Sequence, residues 1–396
     1  MLIDGPRSAS LLLLDTFNEE QLERALASAY AQLGGPATIV FAFLSPNWLP
    51  RLSEFLEITQ IGLRCPRVVG GSAGGLVGDA SEHENVAGCS LLALRLPGAA
   101  PSLEFWDNNL AVIPSGAAQS VSLGAVLIAN PLHLPVDGFL AAWNARHPRL
   151  PAYGGFVSGG ADADSLVIFT ENGISSHGCI AVHFHGDVQL DGALGQACRP
   201  IGHPYLVTGA EGNLLTSLEG MAPMQCLEQA VLEESNRGNL TDTPKAGMLH
   251  TGFLVEESEQ PATSPAGNTL IRAIIGGDPK SGAVAIAGTP EIGQEIQFQL
   301  RDADTASQLW REALEATKPR HDALPIAGLL FPCLGRGAEF FSQPDHDAGL
   351  VRDCLGGLPV AGLFVNGELA SPTASLQAHT FSSVAVFFYP AATQVG

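Results

Sequence analysis

The densest run of reactive and anion-binding residue types is Phe331-Pro332-Cys333-Leu334-Gly335-Arg336-Gly337, which follows an apolar strand and leads towards a helix. Gly335 and Gly337 permit a nest of backbone N–H groups, and Arg336 adds a positive charge. Such a place favours an anionic ligand, or the thiolate form of Cys333. Both effects lower a thiol pKa, which makes Cys333 the expected most reactive of the seven cysteines. The alternatives are a small buried apolar residue at Cys333, and an ion pair of Arg336 with Glu339 or Glu368. Further on lie Asn366-Gly367-Glu368 and His379-Thr380. Glu368 suits a ligand amine or the orientation of Arg336, or it is a solvated turn carboxylate. Cys333 and His379 as nucleophile and base would make a thiol-dependent enzyme. A histidine opening a strand is equally an ordinary hydrogen-bonded structural residue.

Other candidates are weaker. His183 and His185 flank Phe184 on one strand face, but a two-histidine metal site needs further ligands at fixed spacing, so no metal is expected. Gly71-Ser72-Ala73-Gly74-Gly75 lacks the Lys-Ser/Thr of a P-loop and the G-x-G-x-x-G spacing, which argues against nucleotide binding. No G-x-S-x-G surrounds Ser72, so a hydrolase elbow is not supported. Arg199, next to Pro200 and close to Gly202, is a second candidate for holding an anion, or a solvated turn residue.

What must position these residues is a unit that occurs three times. Each copy opens with an apolar strand: Thr38 to Leu44, Ala125 to Asn130, and Ile326 to Phe331. Such runs suit buried parallel strands. A segment with apolar residues on one helical face follows: Leu49 to Ile61, Val136 to Arg146, and Asp347 to Leu355. Each copy then reaches a G-x4-G segment, Gly70 to Gly75, Gly154 to Gly159 and Gly362 to Gly367. The distance from strand to glycines is about thirty residues, one β-α-β crossover. Closing strands run over Cys89 to Leu94, Cys179 to Phe184 and Ser383 to Tyr389. The glycines read as tight turns needing positive φ, or as ligand cradles at the carboxyl ends of the strands. Between the second and third copies, Met224 to Asn236 and Asp302 to Ala316 read as helices, Leu270 to Ile275 with Ala283 to Ala287 as a hairpin, and Gln260 to Gly267 as a loop. The run Leu11 to Leu14, enclosed by Asp4 and Asp15, reads as a strand, too short for a signal core or a membrane span.

The composition is consistent with large cores: 46% of residues are hydrophobic and only 15% charged. A net charge of -21 without Lys/Arg clusters argues against nucleic acid and anionic lipid as partners. The cysteines are scattered with no C-x-x-C, as expected of reduced thiols in the cytoplasm. The length favours two domains. The expected fold is α/β, with α+β as the alternative, built from repeated β-α-β-β units in two related domains with mixed sheets, residues 1–222 and 223–396.

Several segments together resemble the FIST family, named for its N-terminal and C-terminal FIST domains. They are Val69 to Gly75, Cys198-Arg199-Pro200-Ile201-Gly202 with Val207-Thr208, Gly293 to Asp302 ending in Leu-Arg-Asp, Cys333-Leu334-Gly335-Arg336-Gly337, Val360 to Phe364, Gly367-Glu368 and His379-Thr380. The resemblance implies a cytoplasmic sensory module that binds a small molecule such as an amino acid, without a cofactor, and passes the signal to a partner protein. A thiol enzyme using Cys333 and a ligand-free interaction scaffold are the alternatives. The candidate ligand-binding residues are Gly71, Ser72, Gly155, Arg199, Cys333, Gly335, Arg336, Gly337, Asn366, Glu368 and His379.

Overall fold

A computed structural model describes residues 5–115, 121–160, 165–240, 244, 247–254, 269–371 and 375–391. The loop expected at Gln260 to Gly267 lies outside the described residues. The threefold repeat is present. The first unit comprises β1 (Arg7–Leu14), α1 (Glu19–Leu33), β2 (Ile39–Leu44), α2 (Leu52–Leu63), β3 (Val68–Ser72), the hairpin β4 (Gly75–Val77) and β5 (Glu82–Glu84), and β6 (Gly88–Arg95). The second comprises β7 (Ser102–Trp106), β8 (Val112–Ser115), β9 (Gly124–Ala129), α3 (Val136–Arg146), β10 (Ala152–Phe156), the hairpin β11 (Ile168–Thr170) and β12 (Gly173–Ser175), and β13 (Cys179–Phe184). The third opens with β14 (Val188–Gly195). It is then interrupted by β15 (Cys198–Pro200), β16 (Tyr205–Glu211), β17 (Leu214–Leu218), α4 (Pro223–Asn236), β18 (Leu249–Leu254), β19 (Thr269–Gly277), β20 (Val284–Ile286) and β21 (Glu295–Arg301). It resumes with α5 (Ala303–Glu315), β22 (Ala327–Pro332), α6 (Ala338–Phe341), α7 (His346–Leu355), β23 (Val360–Leu363), the hairpin β24 (Glu368–Ala370) and β25 (Gln377–His379), and β26 (Ser383–Pro390).

In each unit the two central strands are parallel and the closing strand runs antiparallel to the first of them: β2 and β3 with β6, β9 and β10 with β13, β22 and β23 with β26. The following hairpin leaves its own sheet. β4 pairs with β23 of the third unit, β11 with β3 of the first, and β24 with β10 of the second. The exchange is cyclic, so each sheet is completed by a neighbour.

The inner faces of the three sheets share one core, in which Phe41, Phe184 and Phe388, one from each unit, lie 5.2 to 6.4 Å apart between ring centroids. Helices cover the outer faces, α1 and α2 on the first sheet, α3 on the second, α5 and α7 on the third. The fully apolar central strands follow from burial on both faces. The inserted segment closes into a barrel, because β21 pairs with β16 on one edge and β18 on the other, with β15 extending it. The α/β class with mixed sheets is therefore observed, with this closed barrel in addition. Position 222, where the sequence divides, falls between β17 and α4, so the barrel draws strands from both sides of it.

The leading glycine of each G-x4-G segment serves neither as a turn nor as a cradle. Gly70, Gly154 and Gly362 sit inside strands, opposite Ala42, Leu127 and Leu330 of the parallel neighbour. A Cβ there would stand 1.7, 1.9 and 1.9 Å from the facing carbonyl oxygens. The requirement is close backbone approach; a positive φ of the turn kind is confined to the trailing glycines Gly159 and Gly367, at 92° and 112°.

Candidate functional site

The third unit places Cys333 directly after β22, where its N–H donates to the Ser382 carbonyl at 3.0 Å and Leu334 N–H donates to Val365 O at 2.9 Å. Leu334–Arg336 then form one 3-10 turn. The sulfur is enclosed, with Cys333 only 8% exposed. Its expected acidity is overturned. Burial, and then the charge of Glu368, push the thiol well above its ordinary value; the backbone N–H groups of Gly335 and Phe381 act the other way and do not prevail. Among the described residues no hydrogen bond joins His379 to this sulfur, although His379 stands opposite Glu368 in the β24–β25 hairpin. His379 is buried, and burial together with the Arg272 charge pushes its imidazole down to about 3, so it is neutral.

Glu368 is fully buried rather than a solvated turn residue, and its Oε2 accepts from both the N–H and the hydroxyl of Ser382. Burial raises its carboxyl from 4.5 to about 8, against those hydrogen bonds. Between these two values the folded chain holds a proton that the unfolded chain has released. Its contribution to stability is thus complete below about pH 4.5 and is lost as pH rises through about 8. Glu368→Gln should remove this slope. The difference in melting temperature, variant minus parent, is expected to grow from pH 5 to pH 8.5, and parallel curves would show that Glu368 ionises normally.

Arg336 is turned into the interior of the protein. It is fully buried, and its Nε and Nη2 donate to the two carboxylate oxygens of Asp347 at 2.7 and 2.8 Å. The ion-pair partner is therefore Asp347 at the start of α7, not Glu339 or Glu368. Arg199 likewise pairs with Glu234 of α4 at 2.7 Å. Gly71 and Gly155 are packing positions: a Cβ would meet Val157 at 2.4 Å and Val365 at 2.5 Å, across the unit boundaries. Ser72 is buried and its Oγ accepts from Val167 N–H at 3.1 Å. Asn366 is exposed at the β23 to β24 turn. Of the residues predicted, Cys333, Gly335, Arg336, Gly337 and Glu368 lie together; Gly71, Ser72, Gly155 and Arg199 serve elsewhere.

Around that turn a cleft of about 370 Å³ is lined by Gly335, Gly337, Arg301, Glu84, Glu339 and Phe340, among others. Arg301, at the end of β21, is its principal cation. Its guanidinium lies 4.6 Å from the Phe340 ring centroid and 4.5 Å from that of Phe381, between the two rings. Nη2 donates to Gly335 O at 2.6 Å, while Nε is buried without a partner. Among the described residues it has no carboxylate partner. Burial, with Arg336 adding to it, pulls its pKa down. Phe381 holds a φ of 57°, the left-handed region that a bulky residue enters at a cost of about 1–3 kcal/mol. On the opposite wall the exchanged hairpin delivers Glu84, whose Oε1 accepts from Ala338 N–H at 2.8 Å. Sequence reasoning missed Arg301, although Leu300-Arg301-Asp302 was among the matching segments. It also missed the hairpin exchange that brings Glu84 here.

The architecture is thus a three-unit α/β assembly with an inserted barrel and a charged cleft where the barrel meets the third unit. Residues 38–221 match the FIST N domain and residues 223–371 the FIST C domain. The chain belongs to the FIST family, whose domains are sensory modules of signal transduction. An uncharacterized Mycobacterium tuberculosis protein is 30% identical over 380 residues, covering 93% of this chain and 96% of its own. An uncharacterized Mycobacterium bovis protein is 32% identical over 265 residues, 66% of this chain and 67% of its own. Among solved structures, a cyanuric acid hydrolase from A. caulinodans aligns over 98% of this chain and 100% of its own, at 8% identity and a TM-score of 0.32, too low to bear on fold or function. Among the described residues no helix is long and apolar enough to cross a membrane.

Proposed function

We propose that the chain is a cytoplasmic sensory protein that binds a small zwitterionic or anionic metabolite, such as an amino acid, in the cleft above the Cys333 turn. The observation that carries this reading is Arg301. A half-buried guanidinium costs free energy to desolvate unless a charge or hydrogen bonds compensate it. This one has two phenyl rings, a single carbonyl, and an unpartnered Nε. A ligand carboxylate supplies the missing acceptor, and an α-ammonium would face Glu84 and Glu339 across the cleft. The volume suits a metabolite of this size. Strain at Phe381, which forms one side of the Arg301 sandwich, fits a pre-organised binding position. Because the cleft lies between the barrel and the third unit, ligand contacts on both would bias their relative position, which a signalling partner can read.

A panel of amino acids and small carboxylates should contain a compound that raises the melting temperature, because a ligand specific to the folded state stabilises it. Arg301→Gln should then weaken that compound by about 10–100-fold, the worth of one charge-assisted hydrogen-bonded contact. Equal affinity in the variant would remove the cleft from consideration.

A further inference from the structure

A second group of reactive side chains lies in the second unit, at the end of its sheet away from the carboxyl ends of the parallel strands. Glu104 of β7, His147 directly after α3, and His183 of β13 each offer one ligand atom, all within 4.8 Å of one another. β7 and β13 run antiparallel with Ala181 opposite Glu104, so Glu104 and His183 are diagonal neighbours on one face. His147 reaches the same point from the helix above, its Nε2 2.8 Å from Glu104 Oε1. The three elements are tied together by Trp143, whose ring lies 4.5 Å from that of His147 and stacks at 5.8 Å on that of His183.

The histidine deepest in the sheet has the geometry of a metal ligand. One ring nitrogen of His183, Nδ1, is 3.2 Å from Ser122 Oγ. The other, Nε2, is buried without a hydrogen-bond partner and points to Glu104 Oε1 at 4.0 Å. The His183 side chain is only 7% exposed. Metal-ligating imidazoles are oriented in this way, one nitrogen held by an outer partner and the other left as a lone pair. Glu104 is fixed as well: Trp106 Nε1–H donates to Oε1 at 2.7 Å and Arg146 Nε–H to Oε2 at 3.2 Å. Arg146 is the feature that opposes a cation, but its side chain is 47% exposed and can turn to solvent.

We propose that Glu104, His147 and His183 bind one divalent transition-metal ion of the zinc class, through two imidazoles and one carboxylate, with water completing the coordination. The ion takes the place of the proton shared between His147 Nε2 and Glu104 Oε1. Bonds of about 2.0–2.2 Å set ligand atoms roughly 3–3.5 Å apart. The His183 to Glu104 separation of 4.0 Å then closes, and the His147 to Glu104 separation of 2.8 Å opens, each by less than about 1 Å. Two imidazoles and a carboxylate with an open position also form the donor set of hydrolytic zinc sites and of non-haem iron sites. The site stands apart from the Arg301 cleft and does not depend on ligand binding there.

The test uses the full chain, stripped with a chelator and titrated with Zn²⁺ against a chromophoric competitor, with Co²⁺ as the spectroscopic probe. One equivalent of Zn²⁺ per chain is expected. The Co²⁺ form should show visible d–d bands without a thiolate charge-transfer band, which separates this site from the seven cysteines. His147→Ala should lower affinity at least ~100-fold, and Ser122→Ala about 10-fold through the orientation of His183. His147 is partly exposed at the end of a helix, so its variant is expected to fold. Should it not, the Ser122→Ala affinity and the Co²⁺ spectrum still decide. Absence of stoichiometric uptake, a thiolate band, or unaltered affinity in the variants would overturn the assignment.

Discussion

Alanine at Gly362 should prevent the chain from reaching its folded state. The added methyl would stand 1.9 Å from the Leu330 carbonyl oxygen, inside the central parallel pair of the third sheet. That atom is backbone in a strand fully buried on both faces, so no rotamer change relieves the contact. The strands would have to separate, at the cost of their shared hydrogen bonds and of the core beneath. Overpacking that displaces backbone belongs to the rare class of substitutions costing more than about 4 kcal/mol, a large part of the stability of an ordinary domain. Gly70→Ala and Gly154→Ala should behave alike, since their methyls would meet Ala42 O and Leu127 O at 1.7 and 1.9 Å. Gly349→Ala is the control. It lies within α7 with nothing within 4 Å of the new Cβ, and alanine there should stabilise by about 0.5–1 kcal/mol. Soluble yield, circular dichroism and thermal melting of the four variants distinguish the cases. A Gly362→Ala protein melting within a few degrees of the parent would show that the parallel pair is not packed as described.

That same glycine shows what the sequence reveals and what it conceals. Three G-x4-G segments in equivalent strand–helix–strand settings pointed to a repeat, and the repeat is there. Elements with a long apolar period were also legible: α3 over Val136–Arg146 and β13 over Cys179–Phe184 lie where the pattern puts them. The three-residue hairpin strands were not legible. Gly75–Val77 carries no period of its own, and its pairing with Val360–Leu363 is a tertiary choice between distant segments. Missing that exchange hid Glu84 from the site. Helix α1 went unread although Leu22, Leu26, Ala29 and Leu33 mark its buried face. At the Cys333 turn the residue types were legible and their environment was not. A glycine–arginine turn suggests an electropositive, open position, whereas here the arginine is neutralised by Asp347 and the sulfur is sealed. The sequence pattern brings out His183 but not Glu104 and His147, which stand on other elements and meet it only in the fold.

Removing the carboxylate of Asp347 should destabilise the protein by about 3–5 kcal/mol, because it strands a buried guanidinium. Arg336 and Asp347 are both entirely enclosed, and their double hydrogen bond at 2.7 and 2.8 Å is the fork-to-carboxylate geometry in which such pairs are strongest. Burial alone would raise the Asp347 carboxyl. Arg336 and His346 outweigh it and hold the value at about 2. The network continues outwards, with His346 Nδ1 2.8 Å from Asp347 Oδ1 and His346 Nε2 2.7 Å from Ser307 Oγ of α5, while Trp310 Nε1–H donates to the Asp347 carbonyl at 3.1 Å. It therefore joins the Cys333 turn to α5 and α7, and its loss should loosen the floor of the Arg301 cleft as well as the fold. Asp347→Ala is expected to lower the denaturant midpoint accordingly, and Asp347→Asn by less, since an amide oxygen still accepts one of the two bonds. Arg336→Met combined with Asp347→Leu should be more stable than Asp347→Ala alone, because no charge remains without a partner. The pair's own pH dependence has the opposite sign to that of Glu368. Its contribution is present above about pH 3.8 and lost as pH falls through about 2. Equilibrium denaturation of the three variants tests the account. An Asp347→Ala protein as stable as the parent would mean that Arg336 finds another partner or reaches water, and that the turn is less enclosed than its burial indicates.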